Sequence, residues 1–179
     1  TVAALVTGNT VIVKPAEQTP GIAHIMFDIL QSAMDQAGVE RKLAREVLQF
    51  CPAPGETTGA ALVRDPRVAL IAFTGSKAVG LDILQAAGVT PAEQEHVKKV
   101  VCEMGGKNAL IIDTSADLDE AVLAVRHSAF GFQGQKCSAC SRAIVHASLY
   151  ERFCDAVAAN TEALVMGPTK HAANTIGPV

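Results

Sequence analysis

Apolar residues along this chain fall into short blocks divided by polar breaks that carry glycine or proline. Residues 10–13, Thr-Val-Ile-Val, lie between Gly8-Asn9 and Pro15, a β-branched run bounded by turn residues that predicts a buried strand. Thr19-Pro20 predicts a helix start, with Thr19 as N-cap and Pro20 at the first helical position. Behind it Ile22, Ile25, Met26, Ile29, Leu30, Ala33 and Met34 recur at helical spacing and predict a buried face, with Gly38 as the stop. Residues 47–51 predict a second strand, Pro52-Ala53-Pro54-Gly55 a turn, and 57–64 a short helix. Residues 68–73 are nearly continuously apolar, as expected of a strand covered on both faces. Thr74-Gly75-Ser76 leads into a helix through Leu84, and 98–102 predicts a fourth strand.

Strands alternating with helices imply right-handed parallel crossovers, hence an α/β fold with a doubly wound parallel sheet. The pattern changes after Gly105-Gly106. Residues 109–112 predict a strand, Ser115 or Asp117 caps a helix to about residue 129, 143–146 predict another strand, and Ser148 caps a helix to about residue 165. A domain boundary is therefore expected near Met104–Gly106, dividing the chain into 1–104 and 105–179. There are no internal repeats or low-complexity tracts.

Composition narrows the function classes. The 179 residues, 49% of them hydrophobic, can fill one ordinary domain. Aromatics are only 4%, so Ala, Val, Leu and Ile must build the core. Net charge is −3, and no basic run or aromatic–basic interleaving points to nucleic acid. No apolar run has membrane-spanning length. Five irregularly spaced cysteines do not form a secreted disulfide framework and indicate a reducing compartment. The chain has no initiator Met, opens inside an element and stops at Thr-Ile-Gly-Pro-Val, so it is expected to be an internal piece of a longer protein.

Candidate chemistry gathers in two glycine-rich breaks, Glu103-Met104-Gly105-Gly106-Lys107 and Gly134-Gln135-Lys136-Cys137. Lys136 and free backbone N–H groups would lower the Cys137 thiol pKa from about 8.5 toward neutrality, which makes a nucleophile; the alternative is a small buried hydrophobe. Glu103, at a strand end before two glycines, reads as a general base or as a surface ion-pair partner. Cys137 and Cys140 also form a Cys-x-x-Cys, but no second pair completes a zinc site: His127 and His146 stand alone, and Cys51, Cys102 and Cys154 lie in apolar segments as structural residues. Lys14 and Glu17 follow the first strand, where an ammonium and a carboxylate suit ribose and phosphate. Ser76 reads as a phosphate ligand at a helix N-terminus or as a simple cap.

These segments resemble the two active-site signatures of the aldehyde dehydrogenase superfamily. The wording Lys136-Cys137-Ser138-Ala139-Cys140-Ser141-Arg142 is most similar to the glutamate-semialdehyde (1-pyrroline-5-carboxylate) dehydrogenases, a branch that includes the dehydrogenase half of bifunctional proline utilisation proteins. The long 80–97 segment is similar to that branch too. The resemblance implies an aldehyde dehydrogenase-like fold, with 1–104 the later part of an NAD-binding domain and 105–179 the first part of a second α/β, thiol-bearing catalytic domain. It implies Cys137 as the nucleophile that forms a thiohemiacetal and then a thioester, its backbone N–H as an oxyanion donor, and Glu103 as the base that activates water. It assigns Lys14 and Glu17 to the adenine ribose of NAD and Gly55 and Gly59 to the adenine end, with Ala53 where the family has a glycine. Gly75 and Ser76 go to the pyrophosphate, Val79 lies near the adenine, Met104 and Gly105 are further cofactor residues, and Ser138 goes to the substrate α-carboxylate. The implied partners are a small-molecule aldehyde, further copies in a homo-oligomer of the full-length protein, and a proline dehydrogenase domain or partner. The implied location is cytoplasmic, or the mitochondrial matrix in a eukaryote.

The implied activity is NAD-dependent oxidation of L-glutamate γ-semialdehyde to L-glutamate in proline catabolism. The rivals are another aldehyde dehydrogenase of succinate-semialdehyde type, an inactive scaffold of the same fold, and a redox or zinc module. The family's upstream oxyanion Asn and downstream ribose-binding Glu lie outside these 179 residues. The isolated 179-residue polypeptide is therefore expected to be inactive, and sustained Cys137-dependent NADH formation by the pure polypeptide would refute that.

Overall fold

The computed structural model describes residues 1–178, which divide into two compact units. The first comprises Thr1–Ala72 and Leu81–Val101, the second Phe73–Gly80 together with Cys102 onward. The architecture is α/β, with strands paired in three two-stranded sheets.

The first unit opens with helix α1 (Val2–Val6) and strand β1 (Val11–Val13). β1 pairs in parallel with β2 (Leu48–Phe50), Val11 opposite Leu48 and Val13 opposite Phe50. The crossover carries α2 (Pro20–Gln36) and α3 (Arg41–Val47). Thr19 occupies the N-cap of α2, but its hydroxyl makes no capping hydrogen bond. The helix stops as expected at Gly38, where Gly38 N donates to Asp35 O (3.1 Å) and Val39 N to Met34 O (3.0 Å).

The buried face of α2 differs from the expectation. Ile22 (66%), Ile25, Met26 and Ile29 are exposed, whereas Ala23, Phe27, Leu30, Gln31 and Met34 are partly covered. The covered stripe is set by its neighbours: the Phe27 and His24 rings each lie 5.4 Å from the Phe50 ring, and Gln31 Nε2 donates to Ala44 O and Leu48 O, both at 3.2 Å. Helical spacing finds apolar stripes, but on a helix apolar over most of its circumference it does not say which one a neighbour covers. The charged sequence of α3 hid it, since Ala44 is the one residue it buries.

The short helix expected at 57–64 is a π-helical turn, Gly55–Gly59, followed by α4 (Ala60–Arg64). Next come β3 (Leu70–Thr74), α5 (Lys77–Ala87) and β4 (Lys99–Glu103), with β3 and β4 neighbours in one sheet. Lys98 precedes the strand it was expected to open. It is a buried lysine, 7% exposed, whose ammonium donates to the carbonyls of Asp65 and Val68. Those carbonyls belong to the turn before β3, where the Arg67 guanidinium and N–H bond the Asp65 carboxylate and hold its pKa well below the usual range.

The second unit is a β-α-β crossover with one more helix. β5 (Asn108–Ile112) and β6 (Cys140–Val145) pair in parallel and α6 (Leu118–Phe130) connects them; α7 (Tyr150–Glu162) follows. Asp117, not Ser115, caps α6: one carboxylate oxygen accepts from Asp119 N and Glu120 N, both at 3.0 Å. The core is Ile112, Val122, Val125 and Phe153, joined by Leu110, Val145 and Leu149. β6 begins three residues before the predicted strand. Ser148 does not cap the last helix; it sits in a 3-10 turn, Ala147–Leu149, held by His146 Nδ1 accepting from Ser148 N (3.2 Å). Cys154, read as a structural residue of an apolar segment, is exposed on α7. Among the described residues, no helix is long and apolar enough to cross a membrane.

Replacing Lys98 by Met removes the ammonium that both carbonyls accept from, leaving Asp65 O only its bond from Val68 N, and is expected to destabilise the protein by about 1–3 kcal/mol. Thermal unfolding of the Lys98→Met protein against the parent sequence checks this.

Candidate active site

The loop that carries Cys137 begins with backbone of unusual hand. Immediately after α6, Phe132 (φ 54°), Gln133 (φ 56°) and Gly134 (φ 69°) are all left-handed. For residues with a Cβ this conformation costs about 1–2 kcal/mol each. The turn is held by Gln135 N donating to Phe132 O (3.1 Å). The Gln133 amide, oriented so that donors face acceptors, accepts from Gly177 N at 2.8 Å. Gly134 has a second reason to lack a side chain: a Cβ there would meet Ala129 O at 2.8 Å. A tight turn follows, with Ala139 N donating to Lys136 O (3.1 Å) and Cys140 N to Ser128 Oγ (3.2 Å). Cys137 stands exposed in this turn, and Ala139 is buried beneath it.

Glu103 is the last residue of β4, and its carbonyl accepts from Gly75 N at 3.0 Å. At α5, the Ser76 hydroxyl accepts from Val79 N (3.3 Å), so it caps that helix. The Met104 side chain packs against α5 at Gly80, where a Cβ would lie 2.7 Å from Met104 Sδ. Cys102 Sγ donates to the carbonyl of the same glycine (3.6 Å). Sequence reasoning passed over Gly80; its signal is a lone glycine inside a helical pattern, which marks a close approach.

These segments enclose an open cleft of ≈ 400 Å³. Glu103 and Cys137 both line it, with Thr74, Gly75, Met104 and Gly105. Ser76, Val79 and Ser138 are not among its lining residues. Two ties between the motifs were not anticipated. Asn108 Nδ2 donates to Cys137 O at 2.6 Å, and Arg142 Nη2 donates to Lys107 O at 2.5 Å. Each donor is visible in the sequence, but neither has a local partner that would announce the bond. All five cysteines are free thiols.

In the first unit, the four residues assigned to the adenine side lie together. Gly55 N donates to Glu17 Oε1 at 2.5 Å, and a Cβ on Gly55 would lie 3.3 Å from that oxygen and 4.0 Å from Lys14 Nζ. Lys14 Nζ donates to Pro15 O (2.8 Å) and Ala53 O (3.1 Å), and its Cδ would be 3.4 Å from a Cβ on Gly59. A carboxylate and an ammonium thus both reach the same glycine turn.

A thiol and a carboxylate on one cleft, beside a strand-to-helix turn, are groups of the kind that nucleophilic acyl chemistry uses. The chain belongs to the aldehyde dehydrogenase family, whose model matches residues 1–179. It is 44% identical over 179 residues to 1-pyrroline-5-carboxylate dehydrogenase of Geobacillus thermodenitrificans, covering 100% of this chain and 33% of that protein. Among solved structures it is similar to proline utilization A from Bdellovibrio bacteriovorus, with 46% identity, a TM-score of 0.88, and 99% of this chain and 18% of that one covered. It is also similar to a Thermus 1-pyrroline-5-carboxylate dehydrogenase with bound NAD, with 42% identity, a TM-score of 0.84, and 96% and 32% covered. The chain thus spans about a third of the length of the curated relatives it matches.

Gly134→Ala combines a left-handed φ with a steric clash. It is expected to lower stability by about 2 kcal/mol or more and to depress Cys137-dependent activity of the full-length protein. Melting temperature and turnover measured together check both.

Proposed function

We propose that the protein carrying this chain oxidises L-glutamate γ-semialdehyde to L-glutamate with NAD and water. The observation that carries the reading is that Cys137 and Glu103, from separate motifs, line one cleft. The identities to 1-pyrroline-5-carboxylate dehydrogenases support this substrate over succinate semialdehyde. The similarity to a proline utilization A protein supports a proline dehydrogenase, on the same chain or as a partner, as the source of that substrate.

In this reading residues 1–104 are the later part of the NAD-binding domain and 105–179 the first part of the catalytic domain. The Cys137 thiolate adds to the aldehyde carbon, forming a C–S bond and moving the carbonyl π electrons onto oxygen. The Cys137 backbone N–H holds that oxyanion. NAD, when bound, supplies the two-electron oxidant that turns the thiohemiacetal into a thioester. Glu103 then takes a proton from water as the water oxygen attacks the thioester carbon; collapse expels the Cys137 thiolate and releases the carboxylate product. Lys14 and Glu17 bind the adenine ribose. Glu17 uses one oxygen on Gly55 N and offers the other to a ribose hydroxyl, and its charge disfavours a 2′-phosphate, hence NAD over NADP. Gly75 and Ser76 stand at the pyrophosphate, and Ser138 takes the substrate α-carboxylate.

The test is NADH formation by the full-length protein offered glutamate semialdehyde, succinate semialdehyde and acetaldehyde. The first should be strongly preferred, and Cys137→Ala should abolish turnover. Glu103→Gln should keep the first-turnover burst of NADH and lose about 100-fold or more in steady turnover, the usual size of a general-base contribution. A folded protein that binds NAD but oxidises no aldehyde would overturn the reading in favour of a scaffold.

A further inference from the structure

Both peptide groups that flank Cys137 are pinned, one locally and one from a distance. The Lys136 carbonyl, on the N-terminal side, accepts from Ala139 N within the turn (3.1 Å). The Cys137 carbonyl, on the C-terminal side, accepts from Asn108 Nδ2 at 2.6 Å, and the same nitrogen lies 3.5 Å from Ala139 O. With both flanking planes fixed, φ and ψ of Cys137 are fixed, and so are the directions in which its thiol and N–H leave the backbone.

The strand register explains why Asn108 is free to do this. The β5–β6 ladder steps from Asn108 opposite Cys140 to Ala109 opposite Arg142, leaving Ser141 as an extra residue on β6. On the other side of Asn108, Arg142 Nη2 donates to Lys107 O at 2.5 Å, so the segment that bears the asparagine is itself tied down. An amide suits the place because its nitrogen faces two carbonyl oxygens as a donor; a carboxylate of the same shape would set like partial charges against each other.

We infer that Asn108 is the positioning residue for Cys137, holding the nucleophile's carbonyl so that thiol and oxyanion donor point together into the cleft. It touches neither substrate nor cofactor and acts through the Cys137 peptide. The inference rests on the reading of Cys137 as nucleophile.

The experiment uses the full-length protein. Wild type and Cys137→Ala come first: a Cys137-dependent NADH burst with glutamate semialdehyde establishes the nucleophile, and its absence from wild type would remove that reading and this inference with it. In Asn108→Asp and Asn108→Ala the burst rate constant should fall about 10- to 100-fold, as misplacement of a reacting atom does. Melting temperature, KM for NAD and the pH midpoint of Cys137 alkylation by iodoacetamide should stay near their wild-type values. Asn108→Ser, which keeps a donor, should recover part of the burst. A burst within about twofold of wild type in a folded Asn108→Asp protein overturns the inference. So does failure of all three variants to fold, which makes Asn108 a structural staple instead.

Discussion

Parallel pairing of β5 with β6 is the constraint on which the candidate site depends. β5 begins directly after the Glu103 motif and β6 directly after the Cys137 turn, and parallel neighbours start at the same edge of their sheet. The two motifs, a whole crossover apart in sequence, are therefore delivered side by side. The pairing is in turn secured by the core beneath it, where Ile112 and Val145 of the strands meet Val122, Val125 and Phe153 of the helices. Binding sites in open α/β sheets ordinarily lie beyond the carboxyl ends of strands. Here Glu103 and Thr74 end their strands whereas Asn108 and Cys140 begin theirs, so the cleft faces strand ends of both kinds.

The backbone before Cys137 is not relaxed. Two side-chain-bearing residues in left-handed conformation precede Gly134, and they persist because neighbouring bonds over-determine them. Cys140 N on Ser128 Oγ ties the far end of the loop back to α6, and Gln133 reaches Gly177. The result is a thiol displayed on a stretch of chain tied at both ends by hydrogen bonds.

Much of this was legible in the sequence. The alternation of β-branched runs with helical spacing yields the α/β class; Pro20 and Gly38 mark the ends of α2; Asp117 with Asp119 and Glu120 marks the start of α6. The motif glycines mark the breaks that carry Glu103 and Cys137, which line one cleft. What was not legible depends on which partner is present. The covered stripe of α2 was chosen by Phe50 and α3. Lys98 reads as an ordinary strand-edge cation until the carbonyls of Asp65 and Val68 converge on it. Gly80 matters because Met104 lies against it, and the early start of β6 follows from pairing with β5 rather than from its own apolar content. Each of these is a tertiary fact written in residues whose local preferences are neutral.

The extra residue at Ser141 sets how the loop tolerates changes in length. Side chains along a strand alternate with period two, so a single-residue deletion turns everything on one side of it to the opposite face. Removing Ser141 would heal the ladder, letting the partners of Asn108 and Ala109 become consecutive, while everything from Gly134 to Cys140 rotated away from its present direction. The gain in strand regularity would come with a thiol aimed out of the cleft. Insertions and deletions are usually harmless in surface loops. In this stretch a change of residue count acts on every side chain between the deletion and Gly134 at once, whereas a substitution acts on one.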